Sequence, residues 1–229
     1  MKILILLLFF IIPLREVESI KLSFPVQVHR QDIFLNYAND NFSQKLYMNE
    51  NRITVDIKSV NFVHLNLNFR VSLDKKKLEK LNPEIKEIVL NLFDNSITLD
   101  HYFKKISPFL EKNIKYSEEG LPQDEISVLI NRKANCVGFS NLAGFFLDCA
   151  GVKNRLVKGF YLMKEKGRVL VPVPHKWVEI HLSKGIRFFY DPQRQKFSAN
   201  YIVTRDDVDF KKIRKFKVLL IKKSKEVLN

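Results

Sequence analysis

Three patterns of apolar and polar positions succeed one another along the chain. From residue 20 to residue 75 the spacing is that of strands: "IKLSFPVQV", "RITVDIKSV" and above all "VHLNLNFRVSL", in which Val63, Leu65, Leu67, Phe69, Val71 and Leu73 alternate with mostly polar residues. Alternation with period two predicts an antiparallel sheet buried on one face, either a small separate domain or an extension of the main one. Near Asp74 the period changes. "DKKKLEKLNPEIKEIVLNLFDNS" and "TLDHYFKKISPFLEKNIKYS" carry helical spacing, with Phe103, Ile106, Phe109, Leu110 and Ile114 on one face of the second. A shorter helix is expected in "PQDEISVLINRK", which has Pro122 and two acids at its start. After Gly151 strands return in "RLVKGFYLM", "RVLVPV", "HKWVEIHL" and "GIRFFYD".

Between these regions lies "ANCVGFSNLAGFFLDCAG", residues 134–151, which holds both cysteines of the chain. Asn135 is a good helix N-cap and Gly151 a good stop, so a helix over 136–150 is predicted. Phe139, Leu142, Ala143, Phe145, Phe146, Leu147, Cys149 and Ala150 cover more than half of its circumference, which makes it a helix mostly surrounded by protein. Cys149 falls in the apolar arc and reads as a small buried hydrophobe. Cys136 opens the helix, where unpaired N–H groups and the positive end of the dipole favour a thiolate, the reactive form of cysteine. The two thiols are thirteen positions apart, roughly 20 Å on a helix, whereas a disulfide needs Cα atoms within about 7 Å. Both are therefore expected to be free.

Partners for Cys136 come from the last two strands. If "SKG" (183–185) is a three-residue hairpin loop, Leu182 pairs with Ile186 and Asp191 falls opposite Trp177. His175 is then the diagonal neighbour of Asp191 on one face of the sheet. A slip of one residue would send Asp191 to the other face. Cysteine, histidine and aspartate in this order suit acyl transfer: the imidazole takes the thiol proton, the carboxylate orients the ring, and the thiolate attacks an amide carbonyl. Backbone N–H groups at the helix start, that of Cys136 included, are placed to stabilise an oxyanion. No side-chain donor for it is identifiable.

Charge and length add to this picture. The 229 residues suit one domain with an appendage, and the net charge is +14. Half of that excess lies in "KKIRKFKVLLIKKSKEVLN", residues 211–229. Such a segment contacts an anionic polymer, acidic lipid or nucleic acid, or is an edge strand kept soluble by lysines. At the other end, Lys2 precedes "ILILLLFFIIPL", which is short for a membrane span and suits a signal peptide, with Val17 and Ser19 at the small-residue positions of a cleavage site. The expected organisation is a signal peptide over 1–19, a β-strand region over 20–75 and a catalytic domain with a basic C-terminal segment over 76–229. The protein is thus expected to be secreted or periplasmic, with an uncleaved anchor as the alternative.

Taken together, "NIKYS", "NCVGFSNLAGFFLDCAGVKNRLVKGFY", "HKWVEI" and "YDP" resemble the core of the transglutaminase-like superfamily, papain-like cysteine enzymes that include transglutaminases and bacterial proteases. The resemblance runs from about residue 85 to residue 195. The family pattern falls on Cys136, on the helix exit Ala150, Gly151 and Arg155, on His175, Trp177 and Glu179, and on Asp191 with Pro192. It departs at Ala134, where the family often has glycine. The resemblance implies an α+β fold with a papain-like core, in which the helix bearing the cysteine packs on an antiparallel sheet. It also implies catalytic roles for Cys136, His175 and Asp191, and a place for Trp177 at the substrate.

Other residues carry less. His181 lies about 20 Å from His175 along the strand and reads as a strand-end residue. His29, His64 and His101 lack metal-ligand spacing, and Glu179 reads as a structural ion-pair partner. Asn41-Phe42-Ser43 fits a glycosylation sequon. No metal or organic cofactor is implied. The expected function is an exported cysteine enzyme acting on amide bonds of a protein, peptide or peptidoglycan through a thioester, cleaving rather than cross-linking. The alternative is a non-catalytic envelope module that binds an anionic polymer; nucleic acid is not an expected partner.

Overall fold

The computed structural model describes residues 15–25, 33–60, 67–94, 98–195, 197–213 and 216–228. Four strands come first: β1 (Arg15–Pro25), β2 (Tyr37–Asn39), β3 (Phe42–Met48) and β4 (Arg52–Val60). The middle of the chain is helical, with α1 (Lys75–Glu79), α2 (Pro83–Phe93) and α3 (Leu99–Asn113), then the short β5 (Lys115–Tyr116), α4 (Glu125–Asn131), β6 (Lys133–Ala134) and α5 (Cys136–Cys149). Five strands complete it: β7 (Lys153–Lys166), β8 (Val169–His181), β9 (Arg187–Tyr190), β10 (Tyr201–Val203) and β11 (Val218–Leu228). The fold is α+β.

Among the described residues, nine strands form one sheet in the order β10-β7-β8-β11-β1-β4-β3-β2, with β9 on the edge of β8. The early strands and the late ones therefore share one sheet, and β11 is the bridge between them. Its pairing with β1 reaches across the chain: Ser19 and Ser224, 205 positions apart, join hydroxyls at 2.7 Å. The basic segment is thus not a free tail but a strand, paired with β1 along most of its length and with β8 only at Val218 and Leu219. Beyond them it runs as an edge on which Lys222, Lys223 and Lys225 stay exposed.

Residues 17–19 pair with β11 on one side and β4 on the other. The cleavage point expected after Ser19 therefore falls inside a strand, and a leader ending there would remove part of the sheet. Residues 1–14, which carry the apolar run, lie outside the described residues, as do His29 and His64. Among the described residues no helix is long and apolar enough to cross a membrane.

Two apolar clusters sandwich the functional strands. In one, α2 to α5 pack through Val89, Tyr102, Phe146 and Leu147 onto Val178, Ile180 and Phe188. In the other, Leu22, Phe24 and Ile57 of the early strands join Val157, Trp177, Phe189 and Tyr201.

The stretch 67–73 departs from the strand expected for it. Leu67 and Val71 are buried, as the alternation required, but against the helices. Its backbone serves helix ends instead of a neighbouring strand. Leu67 and Phe69 carbonyls accept from the first-turn N–H groups of Asp100 and Leu99, and Ser72 and Asp74 N–H groups donate to the last carbonyls of α5. The two strands expected over 168–173 and 175–182 are one strand, β8, running through Pro172 and Pro174. On its open edge β8 meets β11 only at Val169 and Leu170 and β9 only from Val178 onward, so prolines between cost little pairing.

Candidate active site

The helix that carries Cys136 starts where its sequence says it should. The Asn135 carboxamide oxygen accepts from the N–H groups of Val137 and Gly138, which leaves the Cys136 N–H outside the cap. Gln123 clamps the approach, accepting from Asn135 N–H at 2.9 Å while Asn141 donates to its carbonyl. Gly138 makes room for this, because a Cβ there would stand 2.4 Å from Gln123 Oε1. At the far end Gly151 turns the chain with φ of 68°. Both cysteines are free. Cys149 is fully buried, and burial pushes its thiol up to about 11, the reverse of what a nucleophile needs. Cys136 is half-buried at the helix mouth.

The hairpin after β8 has the register predicted from its loop length. Val178 pairs with Tyr190 and His181 with Arg187, and Leu182 N–H donates to Ile186 C=O at 2.8 Å. The loop closes as a single helical turn over Ser183–Gly185, with Lys184 and Gly185 both in the left-handed region. Counting on from Tyr190 brings Asp191 beside His175, and the two are joined, His175 Nε2 to Asp191 Oδ2, at 2.7 Å. His175 is 6% exposed and Asp191 0%.

Asp191 is held by more than the histidine. Tyr201 donates its hydroxyl to Oδ2 at 2.5 Å, and the N–H groups of Gln193 and Arg194 donate to Oδ1 at 3.0 and 3.2 Å. Its carboxylate is thereby fixed from both sides. Burial works against a charged His175 ring, but hydrogen bonds to Asp191 and to the Cys136 sulfur, with the Coulombic pull of both, outweigh it and raise the ring from 6.5 to about 9. Histidine and aspartate thus meet at one point, drawn from β8 and the end of β9, with Cys136 of α5 within electrostatic reach of the ring.

Trp177 does not line a substrate surface. It is fully buried beneath the His175 ring, with centroids 6.2 Å apart, and packs edge-on against Phe189 and Tyr201. Its role here is to floor the imidazole. Glu179 is also fully buried, and accepts from Arg155 Nε at 2.8 Å, from Asn39 at 3.2 Å and from the Tyr37 hydroxyl. Burial tends to raise its carboxyl, yet the bonds to Tyr37, Arg155 and Asn39 hold it below the usual range. It is a structural anion, as its place beside Arg155 in the ladder suggests. His181 ends β8 and lies 3.1 Å from the same carboxylate. Asn41 of the sequon is buried, with its amide bonded to both the N–H and the C=O of Phe189, so it is closed to glycosylation.

Several functional neighbours left no mark on the sequence pattern. Tyr201 sits ten residues past Asp191 in a segment with no motif, and only the pairing of β10 with β7 brings it in. The Gln193 and Arg194 N–H groups had a signal, since Asp-Pro commonly opens a turn whose later N–H groups bond the aspartate. Ser140 Oγ lies 2.8 Å from the Cys136 carbonyl and 3.1 Å from that of Lys176, tying the first turn of α5 to β8. Beyond His175, Arg194 stacks over Tyr161 at 3.5 Å beside a cavity of about 610 Å³ that Tyr201 and Gln193 also line.

Residues 94–192 match the family model of the transglutaminase-like superfamily, a little under half of the chain. Among solved structures the chain is similar to a candidate cysteine protease from Cytophaga hutchinsonii, at 11% identity and a TM-score of 0.46, over 94% of this chain and 90% of that one. It is also similar to the periplasmic domain of TgpA from Pseudomonas aeruginosa, at 14% identity and a TM-score of 0.47, over 77% and 70% of the two chains. No curated protein matches it. The helix with its leading cysteine, the histidine strand and the closing Asp-Pro all fall within the matched segment, so the part of the chain that is similar to the transglutaminase-like superfamily is the part that carries the chemistry-bearing residues.

Proposed function

We propose that this protein is a cysteine hydrolase that cleaves amide bonds through a Cys136–His175–Asp191 triad. The observation that carries the reading is the Asp191 carboxylate, saturated with donors, gripping a His175 ring that lies within electrostatic reach of Cys136. In the first half-reaction the sulfur attacks the amide carbonyl carbon, and the Cys136 N–H stabilises the oxyanion. His175 then delivers its proton to the departing amine nitrogen as the C–N bond breaks, leaving a thioester. In the second half, His175 takes a proton from water, hydroxide adds to the thioester, and the acid leaves as the sulfur is released. Activity requires a reduced thiol.

Cleavage is preferred to cross-linking because Lys176, whose carbonyl Ser140 links to that of Cys136, sets a cation near the thiol, with Lys158 as its partner in the ladder. A cation there disfavours the approach of an ammonium-bearing acceptor and leaves water unaffected. An exported setting is part of the proposal and rests on the apolar run of residues 3–14. The test supplies a glutamine-containing protein with a tagged primary amine, in parallel with peptidoglycan fragments. Bond cleavage without incorporation of the tag is expected; efficient incorporation would reverse the assignment to transamidation.

A further inference from the structure

Like charges directly opposite one another on neighbouring strands work against a sheet. Lys158 of β7 and Lys176 of β8 are such a pair, both half-buried. They occupy the ladder next to Leu156 and Val178, whose side chains pack against the helical cluster. Strand alternation therefore turns both lysines toward the side of the sheet that α5 covers. Ser140 ties the Lys176 backbone to that of Cys136. Among the described residues no carboxylate lies within ion-pair distance of either ammonium. Lys158 Nζ donates to the backbone carbonyl of Asp206 at 2.8 Å, while the Asp206 carboxylate itself is taken by Arg155. Burial and the neighbouring Lys158 lower the pKa of Lys176, opposed by the pull of Cys136. Two cations thus stand side by side on the sheet, Lys176 next to the first turn of α5 and Lys158 one strand further off with its ammonium on the Asp206 carbonyl.

We propose that Lys158 and Lys176 form a carboxylate-binding subsite beside Cys136, so that the acyl donor is an acidic peptide with a negative charge next to the amide that is attacked. A carboxylate between the two ammonium groups relieves their repulsion and anchors the donor by charge-assisted hydrogen bonds. The chain's net charge of +14 adds long-range attraction for the same substrates.

The inference rests on the reading of Cys136 as nucleophile, and its test separates the two. Alkylation of Cys136 by neutral iodoacetamide and by anionic iodoacetate, each displacing iodide from carbon, is followed at low ionic strength by mass spectrometry. The rate ratio of iodoacetate to iodoacetamide is expected to be about tenfold higher in the native protein than in the urea-unfolded chain. Lys158→Gln and Lys176→Gln should each lower that ratio about threefold, and the double variant should bring it near the ratio left by the His175 charge alone. Lys176→Arg should preserve it, and Lys222→Gln on exposed β11 should not move it. An unchanged ratio in the double variant, with iodoacetamide still reacting fast, overturns the subsite and leaves the nucleophile standing. Slow iodoacetamide labelling of the native protein overturns the nucleophile, and the subsite with it.

Discussion

Gly159 offers a sharp test of how the fold holds the site. It pairs with Val203 of β10 on one side and His175 on the other. A Cβ added there would lie 2.0 Å from the Ile202 carbonyl oxygen and 2.6 Å from Trp177 Cη2, against 3.4–4 Å for ordinary contact. The first obstacle is backbone, so no rotamer change relieves it. In Gly159→Ala, β10 must retreat by about 1 Å or more, which stretches its three ladder pairs and pulls the Tyr201 hydroxyl away from Asp191. Weakened ladder bonds and a strained charge-assisted bond together cost about 3 kcal/mol, a fall in Tm of about 6–12 °C for a chain of this size. Gly120→Ala is the control, since nothing stands within 4 Å of the added carbon. It should stay within about 0.5 kcal/mol of the parent. Calorimetry of both variants, with Cys136 alkylation as a second readout, decides the matter. Equal Tm values for the two would refute the claim that β10 is seated on a bare glycine.

Three further outcomes rest on the same geometry. Tyr201→Phe keeps the ring stacked on Phe197 but removes a donor from the buried Asp191, and should cost about 2 kcal/mol in denaturant unfolding while lowering kcat more than it alters KM. Arg155→Met strands the buried Glu179 and should destabilise by about 2–3 kcal/mol, the range being discounted because Arg155 is partly exposed; adding Glu179→Gln should recover much of the loss, as chemical denaturation of the single and double variants will report. With His175 raised to about 9, its protonated form favours the folded state, so that contribution is complete below pH 6.5 and disappears as pH rises through 9. Its size is on the order of 3 kcal/mol. Tm should therefore fall between pH 6.5 and 9.5 in the native protein and less so in His175→Gln, and kcat/KM should lose its alkaline limb near pH 9 as the ring ceases to supply a proton.

How much of this was legible in the sequence depends on how local each determinant is. Helix α5 is set by Asn135, Gly151 and the apolar face between them, all within its own length, and its limits agree with the expected span to one residue. The register that joins His175 to Asp191 depends on three loop residues, so counting sufficed. The stretch 67–73 shows the limit of the method, because alternation specifies which side chains are buried and not whether the backbone bonds a strand or the ends of two helices. Pro172 and Pro174 split β8 on paper, since a sequence does not reveal that the strand has an open edge there. The basic segment was the hardest to place. Its partner β1 lies about 200 positions away, and nothing in either segment names the other. Tyr201 and the lysine pair near Cys136 were hidden for the same reason.

The most direct measurement is the rate at which iodoacetamide labels Cys136 at pH 6. An unfolded thiol with a pKa near 8.5 is only about 0.3% ionised there, so a thiolate held by a protonated His175 should react about a hundredfold faster than the urea-unfolded chain. Label should be confined to residue 136, vanish in Cys136→Ala because Cys149 is buried, and drop steeply in His175→Gln. A native thiol no faster than the unfolded one, or one indifferent to the loss of His175, would contradict the account.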